Sequence, residues 1–143
     1  MKQINLSICI PTYNRAEHLQ NCLQSINSAA QHSDGRLNVE ICISDNCSSD
    51  ATEDVVRRAN LALPVKYFRN KRNLGIPRNF LTVLDMAEGE YAWLVGDDDL
   101  IITEFAAMGG LDALVSALED DGEVGENPPL QPRICSRAPM DYV

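Results

Sequence analysis

Apolar residues in the first hundred positions alternate between two spacings, which predict strands and helices in turn. Short, nearly continuous apolar runs rich in β-branched residues predict four strands, at 6–10, 39–43, 65–68 and 91–95. Pro11 is expected to end the first of them. Between the strands, apolar residues recur every three or four positions, which predicts amphipathic helices. Asp50, paired with Glu53, is expected to cap the second helix, and Asn79 the third.

Strands that alternate with helices of this length indicate βαβ units, so the fold class is α/β with a mostly parallel sheet. Right-handed crossovers bring the segments that follow the strands to one edge of such a sheet, where ligands bind. Those segments are Pro11–Arg15, Ser44–Asn46 and Gly96–Asp99, and all three are rich in polar residues. The sequence therefore predicts a binding site at this edge.

The pattern changes towards the end of the chain. Thr103 is a candidate cap for a further helix that extends to Leu118, although Gly109 and Gly110 weaken its first turns. From residue 122 onwards prolines are frequent and apolar residues are few. We therefore predict one folded domain over 1–121 and a disordered or poorly packed tail over 122–143.

Composition restricts the class of protein. The chain has 143 residues, of which 45% are hydrophobic and 23% charged, as in ordinary soluble domains. No apolar run approaches the roughly 20 residues that a membrane-spanning helix needs, and no leader is recognisable, so a cytoplasmic location is expected. The five cysteines include no C-x-x-C pair, which argues against a metal–thiolate site and is compatible with a reducing compartment.

Charge is unevenly distributed along the chain. The formal net charge is −9, with +3 over residues 1–79 and −12 over residues 80–143. Such an acidic chain is a poor candidate for binding nucleic acid. A basic stretch without acids runs from Lys66 to Arg78, and three aspartates follow at 97–99. A basic stretch together with an acidic cluster suits a small phosphorylated ligand bridged by a cation. The alternative interpretation is that the two segments form oppositely charged surfaces exposed to solvent.

Several residues at the predicted sheet edge allow both a binding role and a structural one. Asp97, Asp98 and Asp99 offer hard oxygen ligands for Mg²⁺ or Mn²⁺, or form an exposed acidic loop. Asp45 could accept a hydrogen bond from a base N–H or cap a turn. Arg78 could neutralise phosphate oxygens or lie in a solvated loop. Tyr13 could stack on a base or cover the sheet edge.

Four motifs in order over residues 4–104 resemble the family 2 glycosyltransferases. They are Ile10-Pro11-Thr12-Tyr13-Asn14-Arg15, the run Ile43 to Asp50, Arg72-Asn73-Leu74-Gly75 with Arg78-Asn79, and Ala87 to Tyr91 leading into Gly96-Asp97-Asp98-Asp99. The resemblance implies a Rossmann-like GT-A fold, with three layers around a mostly parallel sheet, that ends soon after the D-x-D region. Cys47 departs from the family pattern, in which glycine is commoner at this position.

The resemblance also implies roles for individual residues. Nucleotide-pocket residues would be Pro11, Thr12, Tyr13 and Arg15, with Asp45 at the base and Arg78 at the base or diphosphate. The D-x-D signature maps onto Asp97 and Asp99 when read literally, or onto Asp97 and Asp98 when the apolar flanks are matched. All three aspartates are therefore candidate ligands of Mg²⁺ or Mn²⁺, and Asp97 is also a candidate donor-binding residue.

The implied function is metal-dependent, inverting transfer of a sugar from a nucleotide-diphosphate donor to a hydroxyl of a saccharide or lipid-linked acceptor. Polysaccharide or glycolipid synthesis, and peripheral association with the inner face of a membrane, would be compatible with it. A catalytic base cannot be assigned among the late acids Glu104, Asp112, Glu119, Asp120 and Asp121. The alternative is a non-catalytic sugar-nucleotide-binding or interaction module. A receiver-like phosphoacceptor domain fits less well, because the expected acidic pair and late lysine are missing.

Overall fold

A computed structural model of the chain describes residues 3–31, 37–101, 110–120 and 133–135. The described elements are five strands and four helices. The strands are β1 (Leu6–Thr12), β2 (Val39–Asp45), β3 (Val65–Arg69), β4 (Tyr91–Leu94) and β5 (Arg133–Cys135). The helices are α1 (Ala16–Gln31), α2 (Thr52–Arg58), α3 (Ile76–Met86) and α4 (Gly110–Asp120).

The strands form one sheet in the order β3-β2-β1-β4-β5, and every pair in it is parallel. Chain order runs outward from β1 through β2 to β3, whereas β4 lies on the other side of β1. The direction of winding therefore reverses between β1 and β4, and the crevice beyond their carboxyl ends is where such sheets bind ligands. Thr12 ends β1, and Asp97 follows β4 at this point.

Alternate residues of the strands supply the two faces of the core. Ile8 and Ile10 of β1 pack in a cluster with buried residues of α1 and α4, such as Leu23 and Leu111. On the opposite face, a second cluster contains Val83 of α3 together with three strand residues, Cys9, Cys42 and Ala92. The predicted α/β class with helices on both faces of a parallel sheet is confirmed. The burial of both faces explains why the strands read as apolar runs rather than alternating patterns.

Two element ends differ from the sequence prediction. β1 continues through Pro11 to Thr12. The β1–β4 ladder ends at the pair Cys9 and Leu94, so the missing N–H of Pro11 falls beyond it. The helix α3 begins at Ile76 rather than at Asn79, and Gly75 is its N-cap with a φ of 86°. Asn79 is buried inside the helix, where it has a different structural role.

The second helix is also capped differently from the prediction. Its N-cap is Ala51, which makes no side-chain capping hydrogen bond. Asp50 accepts a hydrogen bond from the Thr52 N–H at 3.0 Å and another, at 3.0 Å, from the Ala16 N–H. A single carboxylate therefore satisfies backbone donors in the first turns of both α1 and α2.

Part of the last predicted segment can be compared with the structure. The described helix α4 begins at Gly110, whereas Thr103 and the first positions of the predicted helix lie outside the described residues. Within the predicted tail 122–143, residues 133–135 form β5 and pair in parallel with β4, and the rest lies outside the described residues. Across the described ranges, no helix combines the length and apolarity needed to span a bilayer.

Candidate functional site

A cavity of about 330 Å³ opens at the carboxyl ends of β1 and β4. Six residues predicted for the site line it: Pro11, Thr12, Tyr13, Arg15, Asp97 and Asp98. A larger cavity of about 450 Å³ lies between α1 and α2, and none of the predicted site residues lines it. We therefore take the smaller cavity, at the reversal point of the sheet, as the candidate site.

Asp97 links the two strand ends that border the cavity. Its Oδ2 atom accepts a hydrogen bond from the Thr12 hydroxyl at 3.0 Å, and only 8% of the residue is exposed. Burial raises the pKa of Asp97, although the Thr12 hydrogen bond and the Arg15 charge oppose that increase. The side chain is thus held in one orientation at the mouth of the crevice.

Arg15 joins the two aspartates that line the cavity. Its Nη1 atom lies 3.4 Å from Oδ1 of Asp97 and 3.2 Å from Oδ2 of Asp98. The side chains of Arg15 and Asp98 are about half exposed, at 51% and 54%, whereas that of Asp97 is 10% exposed. The backbone carbonyl of Arg15 accepts the Leu19 N–H at 2.9 Å, which fixes the backbone of Arg15 at the start of α1.

The third aspartate has a different environment. The Oδ2 atom of Asp99 accepts the N–H of Gly96 at 2.9 Å, and Asp99 does not line the cavity. A Cβ at Gly96 would lie 2.8 Å from that oxygen, so this turn leaves little room for a larger residue. Asp97 and Asp98 therefore meet at the cavity, whereas Asp99 closes the turn that begins at Gly96.

The pair of Asp97 and Asp98 fits one divalent cation better than the full triplet does. Within the described ranges, no group of three or more His, Cys, Asp or Glu side chains is arranged to hold a metal. The two carboxylates nevertheless converge on one cationic group, the Arg15 guanidinium. Mg²⁺ is commonly held by one or two carboxylates together with substrate phosphates and water, and two carboxylates meet at this cavity.

Asp45 is the last residue of β2, next to the site, but it is buried and lies outside the cavity lining. The residue pairs with Thr12 across β1 and β2, has no exposed surface and does not line the cavity. Its carboxylate accepts the Tyr67 hydroxyl at 2.5 Å and the Ser48 N–H at 2.9 Å. Burial and the hydrogen bond to Asp45 raise the pKa of Tyr67 above its ordinary value.

A network of buried amides supports the loop that leads from β3 to α3. Asn79 accepts hydrogen bonds from Ser44 Oγ at 2.7 Å and Asn70 Nδ2 at 3.1 Å. Asn70 also donates to Asn46 at 3.0 Å, and Asn46 accepts the Leu74 N–H at 2.8 Å. The loop is therefore fixed to the end of β2 by side chains that satisfy one another, as buried polar groups require.

The basic stretch does not act as one cluster. Lys66 forms ion pairs with Glu40 at 3.0 Å and Glu88 at 2.8 Å, and Arg69 donates to the Ser48 carbonyl at 3.0 Å. Arg78 is exposed in the first turn of α3 and does not line the cavity. The structure thus places Asp45, Arg78 and Asp99 outside the lining and the other predicted residues within it.

Five further residues line the cavity: Asn46, Ile76, Asn79, Phe80 and Gly96. The sequence assigned none of them an individual binding role, although Asn46 and Gly96 lie in the predicted edge segments. Asn79 belongs to one of the motifs named above, but its position before the apolar stripe of the third helix predicted a role as the N-cap of that helix. Ile76 is 71% exposed, which a helical pattern alone does not indicate. Asn46 directly follows Asp45 at a strand end, and this position was the available signal for a role at the cavity.

Comparison with known proteins places the chain among glycosyltransferases. Residues 7–124 match the family described as Glycosyl transferase family 2. Abequosyltransferase RfbV of Salmonella typhimurium is 45% identical over 105 residues, which cover 72% of this chain and 31% of that protein. Poly(ribitol-phosphate) beta-N-acetylglucosaminyltransferase TarS of Staphylococcus aureus is 32% identical over 104 residues, covering 71% and 17% respectively. The chain thus spans about a third or less of these relatives.

Solved structures agree with this placement. TarS 1-349 of S. aureus in complex with UDP-GlcNAc superposes with a TM-score of 0.68 at 26% identity, covering 82% of this chain and 32% of that one. Mannosyltransferase PcManGT from Pyrobaculum calidifontis, solved with GDP-Man and Mn²⁺, gives a TM-score of 0.63 at 23% identity, covering 83% and 32% respectively. The second likeness concerns the fold alone. The predicted GT-A fold is confirmed by these superpositions.

Proposed function

This chain belongs to glycosyl transferase family 2, and from that premise we propose that it is the donor-binding part of a metal-dependent glycosyltransferase. The observation that carries the proposal is the assembly of six sequence-predicted residues around one cavity at the reversal point of the sheet. A nucleotide-diphosphate sugar would lie there with its diphosphate near Arg15, Asp97 and Asp98. Tyr13, which is 45% exposed at the rim, would contact the base.

The residues of the cavity have complementary roles in this proposal. Asp97, fixed by Thr12, and Asp98 would hold Mg²⁺ or Mn²⁺ through carboxylate oxygens. Such a cation, when bound, neutralises the charge that develops on a departing diphosphate. Arg15 presents a guanidinium that suits phosphate oxygens. The first turn of α3 lines the same cavity, and the N-terminus of a helix favours an anionic ligand.

Asp45, Arg78 and Asp99 complete the proposal from outside the cavity lining. Asp45, which is fully buried and bonded to Tyr67 and Ser48, would contribute to base recognition indirectly, by fixing the end of β2 beside the cavity. Arg78 is exposed and directly precedes the lining residues Asn79 and Phe80 in α3, and from there it would approach the base or diphosphate. Asp99 would support the metal ligands by holding the Gly96 turn.

The proposed reaction is inverting transfer to an acceptor hydroxyl, as in polysaccharide or glycolipid assembly at the inner face of a membrane. The acceptor oxygen would attack the anomeric carbon, the bond from that carbon to the diphosphate oxygen would break, and the leaving nucleotide would take the electron pair. A base must take the hydroxyl proton. Of the late acids, the structure describes the side chain of Asp112 alone, so the proposal does not assign this base.

Donor binding is tested by calorimetric titration of the chain with UDP, GDP, dTDP and CDP sugars, with and without Mn²⁺. We expect at least one donor to bind, and we expect Mn²⁺ to increase its affinity. Asp97→Asn should weaken the Mn²⁺-dependent binding by on the order of tenfold or more, because one charged ligand is lost. The control is Asp54→Asn, the same charge change on α2 beside the other cavity.

The outcomes separate the competing functions. Failure of every donor to bind the folded chain would reject the donor site. Binding accompanied by transfer or slow donor hydrolysis supports the enzyme. Binding without either reaction would instead support a non-catalytic sugar-nucleotide-binding module with the same fold.

A further inference from the structure

We propose that Arg15 is an internal counter-cation of the metal site, which a divalent ion must displace, and that this displacement couples metal binding to donor binding. The inference rests on the proposed function and goes beyond it by naming a residue that regulates the same site. Its basis is the single guanidinium nitrogen that lies 3.4 Å from Asp97 and 3.2 Å from Asp98.

Arg15 and a divalent ion would compete for the same oxygens. The nitrogen Nη1 contacts Oδ1 of Asp97, and the other oxygen of that carboxylate is engaged by Thr12. A cation held by Asp97 and Asp98 would compete with Nη1 for these carboxylates. The guanidinium and the metal ion would also repel each other, and this repulsion is strong near Asp97 because water screens charges less at a buried carboxylate. Metal binding therefore requires the guanidinium to leave.

The local structure permits that movement. The backbone of Arg15 is fixed at the start of α1 by the bond from the Leu19 N–H to its carbonyl. Its side chain is 51% exposed and lies at the mouth of a cavity that it also lines. The guanidinium can thus rotate away without disturbing the helix, and it remains within the cavity region.

A diphosphate offers Arg15 a new partner once the carboxylates are given up. The guanidinium forms paired hydrogen bonds with phosphate oxygens as readily as with carboxylates. In the absence of a diphosphate, an incoming metal leaves Arg15 unpaired beside it. With a diphosphate present, Arg15 exchanges one anionic partner for another. Donor binding should therefore strengthen metal binding, and metal binding should strengthen donor binding by the same factor.

The test compares wild type, Arg15→Gln and Arg15→Lys by titration with Mn²⁺, with free ion followed by its electron paramagnetic resonance signal. Each protein is titrated alone and at saturation with the nucleoside diphosphate that wild type binds most tightly among UDP, GDP, dTDP and CDP. Arg57→Gln is the control, because it removes the same charge from α2, where Arg57 pairs with Glu53. Circular dichroism checks that every variant is folded.

Without nucleotide, we expect Arg15→Gln to bind Mn²⁺ on the order of tenfold more tightly than wild type, because no guanidinium must be displaced. The factor by which nucleotide strengthens Mn²⁺ binding should shrink correspondingly in this variant. Arg15→Lys keeps the charge, so its Mn²⁺ affinity should lie between those of wild type and Arg15→Gln. The Mn²⁺ affinity of Arg57→Gln should match that of wild type.

Two other results would overturn the inference and can be told apart. If wild type binds Mn²⁺ with nucleotide and Arg15→Gln binds Mn²⁺ alone no better than wild type, Arg15 is not a competitor, while the proposed donor site stands. If wild type binds no Mn²⁺ under either condition, the proposed metal dependence fails and the role of Arg15 fails with it.

Discussion

Two residues other than glycine have left-handed backbone conformations near the site. Asn14 has a φ of 49° and Cys47 a φ of 65°. Asparagine tolerates this region, and Asn14 also accepts the Ser49 N–H at 2.7 Å. Cys47 has no such compensation beyond a thiol contact of 3.7 Å to the Lys71 carbonyl. The conformation explains why glycine would be commoner at the position of Cys47.

Replacing Cys47 by glycine should stabilise the chain. The left-handed conformation costs an ordinary residue roughly 1–2 kcal/mol, whereas glycine adopts it freely. Glycine has more freedom in the unfolded chain, which offsets part of the gain, so we expect about 0.5–1 kcal/mol of net stabilisation. The measurement is urea unfolding followed by circular dichroism.

Cys47→Ala is the matched control for this prediction. Alanine also removes the thiol but keeps the β-carbon that disfavours the left-handed region. It should therefore be no more stable than wild type. Equal stabilities of the glycine and alanine variants would show that the backbone at this position is not strained.

At the scale of residues, the sequence indicated six of the residues that gather at the sheet edge but not how they pair. Thr12 and Asp97 could be placed there because each follows a recognisable strand. The contact between Arg15 and both Asp97 and Asp98 depends on side-chain orientation across residues more than eighty positions apart, as between Arg15 and Asp97. Periodicity carries no information about such contacts. The burial of Asp45 and its hydrogen bond from Tyr67 could not be predicted for the same reason.

At the scale of elements, a buried carboxylate connects three strands of the sheet and the loop that leads from α3 to β4. Glu40 of β2 is 2% exposed and accepts hydrogen bonds from Ser7 of β1 at 2.7 Å and from the Glu88 N–H at 2.9 Å. Lys66 of β3 forms an ion pair with it at 3.0 Å. Burial alone would raise the pKa of Glu40, but these donors outweigh it, so the pKa lies below its ordinary value.

Glu40→Gln should therefore reduce both stability and its dependence on pH. Because the folded-state pKa is lowered, the stabilisation by Glu40 is complete above its ordinary pKa of 4.5 and is lost as pH falls through the lower folded value. At pH 7 we expect a loss of about 2–3 kcal/mol, since charge-assisted hydrogen bonds to a buried group are weakened. Urea unfolding at pH 7 and at several values below pH 4.5 measures both effects.

The control for this prediction is Glu53→Gln on α2. Glu53 forms an exposed ion pair with Arg57, so its replacement should change stability by less than about 1 kcal/mol. The stability curve of Glu40→Gln should be flatter than that of wild type in the acid range. A variant curve parallel to that of wild type there would mean that Glu40 does not titrate below its ordinary pKa.

The existence of most elements followed from periodicity, whereas their ends depended on tertiary contacts. The apolar stripes predicted α1, α2 and α3, and the apolar runs predicted β1 to β4. Pro11 remains within β1 because the neighbouring ladder has already ended. Asn79 lies inside α3 because Ser44 and Asn70 provide buried hydrogen-bond partners for its side chain. Neither reason is local, so neither could be derived from a short window of sequence.

At the scale of the whole molecule, the uneven charge and the winding of the sheet lead to the same location. The acidic half of the chain contributes Asp97 and Asp98, and the first half contributes Arg15, at the reversal point between β1 and β4. The parallel topology was predictable from the alternation of strands and helices. The strand β5 was not, because it has three residues in a proline-containing segment and is defined by its partner, β4.

The pairing of β5 with β4 gives a direct test of the predicted domain boundary at residue 121. Truncation after Asp121 removes β5 and leaves one edge of β4 unpaired, next to β1 on its other side. A strand of three residues contributes a few ladder hydrogen bonds of about 1 kcal/mol each, so we expect a loss of about 1–3 kcal/mol. Trp93 of β4, the single tryptophan, is 1% exposed and reports unfolding by fluorescence.

Truncation after Ser136 is the matched control, because it shortens the same end of the chain but keeps Arg133–Cys135. This shorter deletion should leave the unfolding midpoint close to that of the full chain. If both truncated chains unfold like the full chain, residues 122–143 behave as a tail and β5 adds nothing to the domain. A loss confined to the longer deletion places the stabilising contribution in β5 and extends the folded unit past the sequence-predicted boundary.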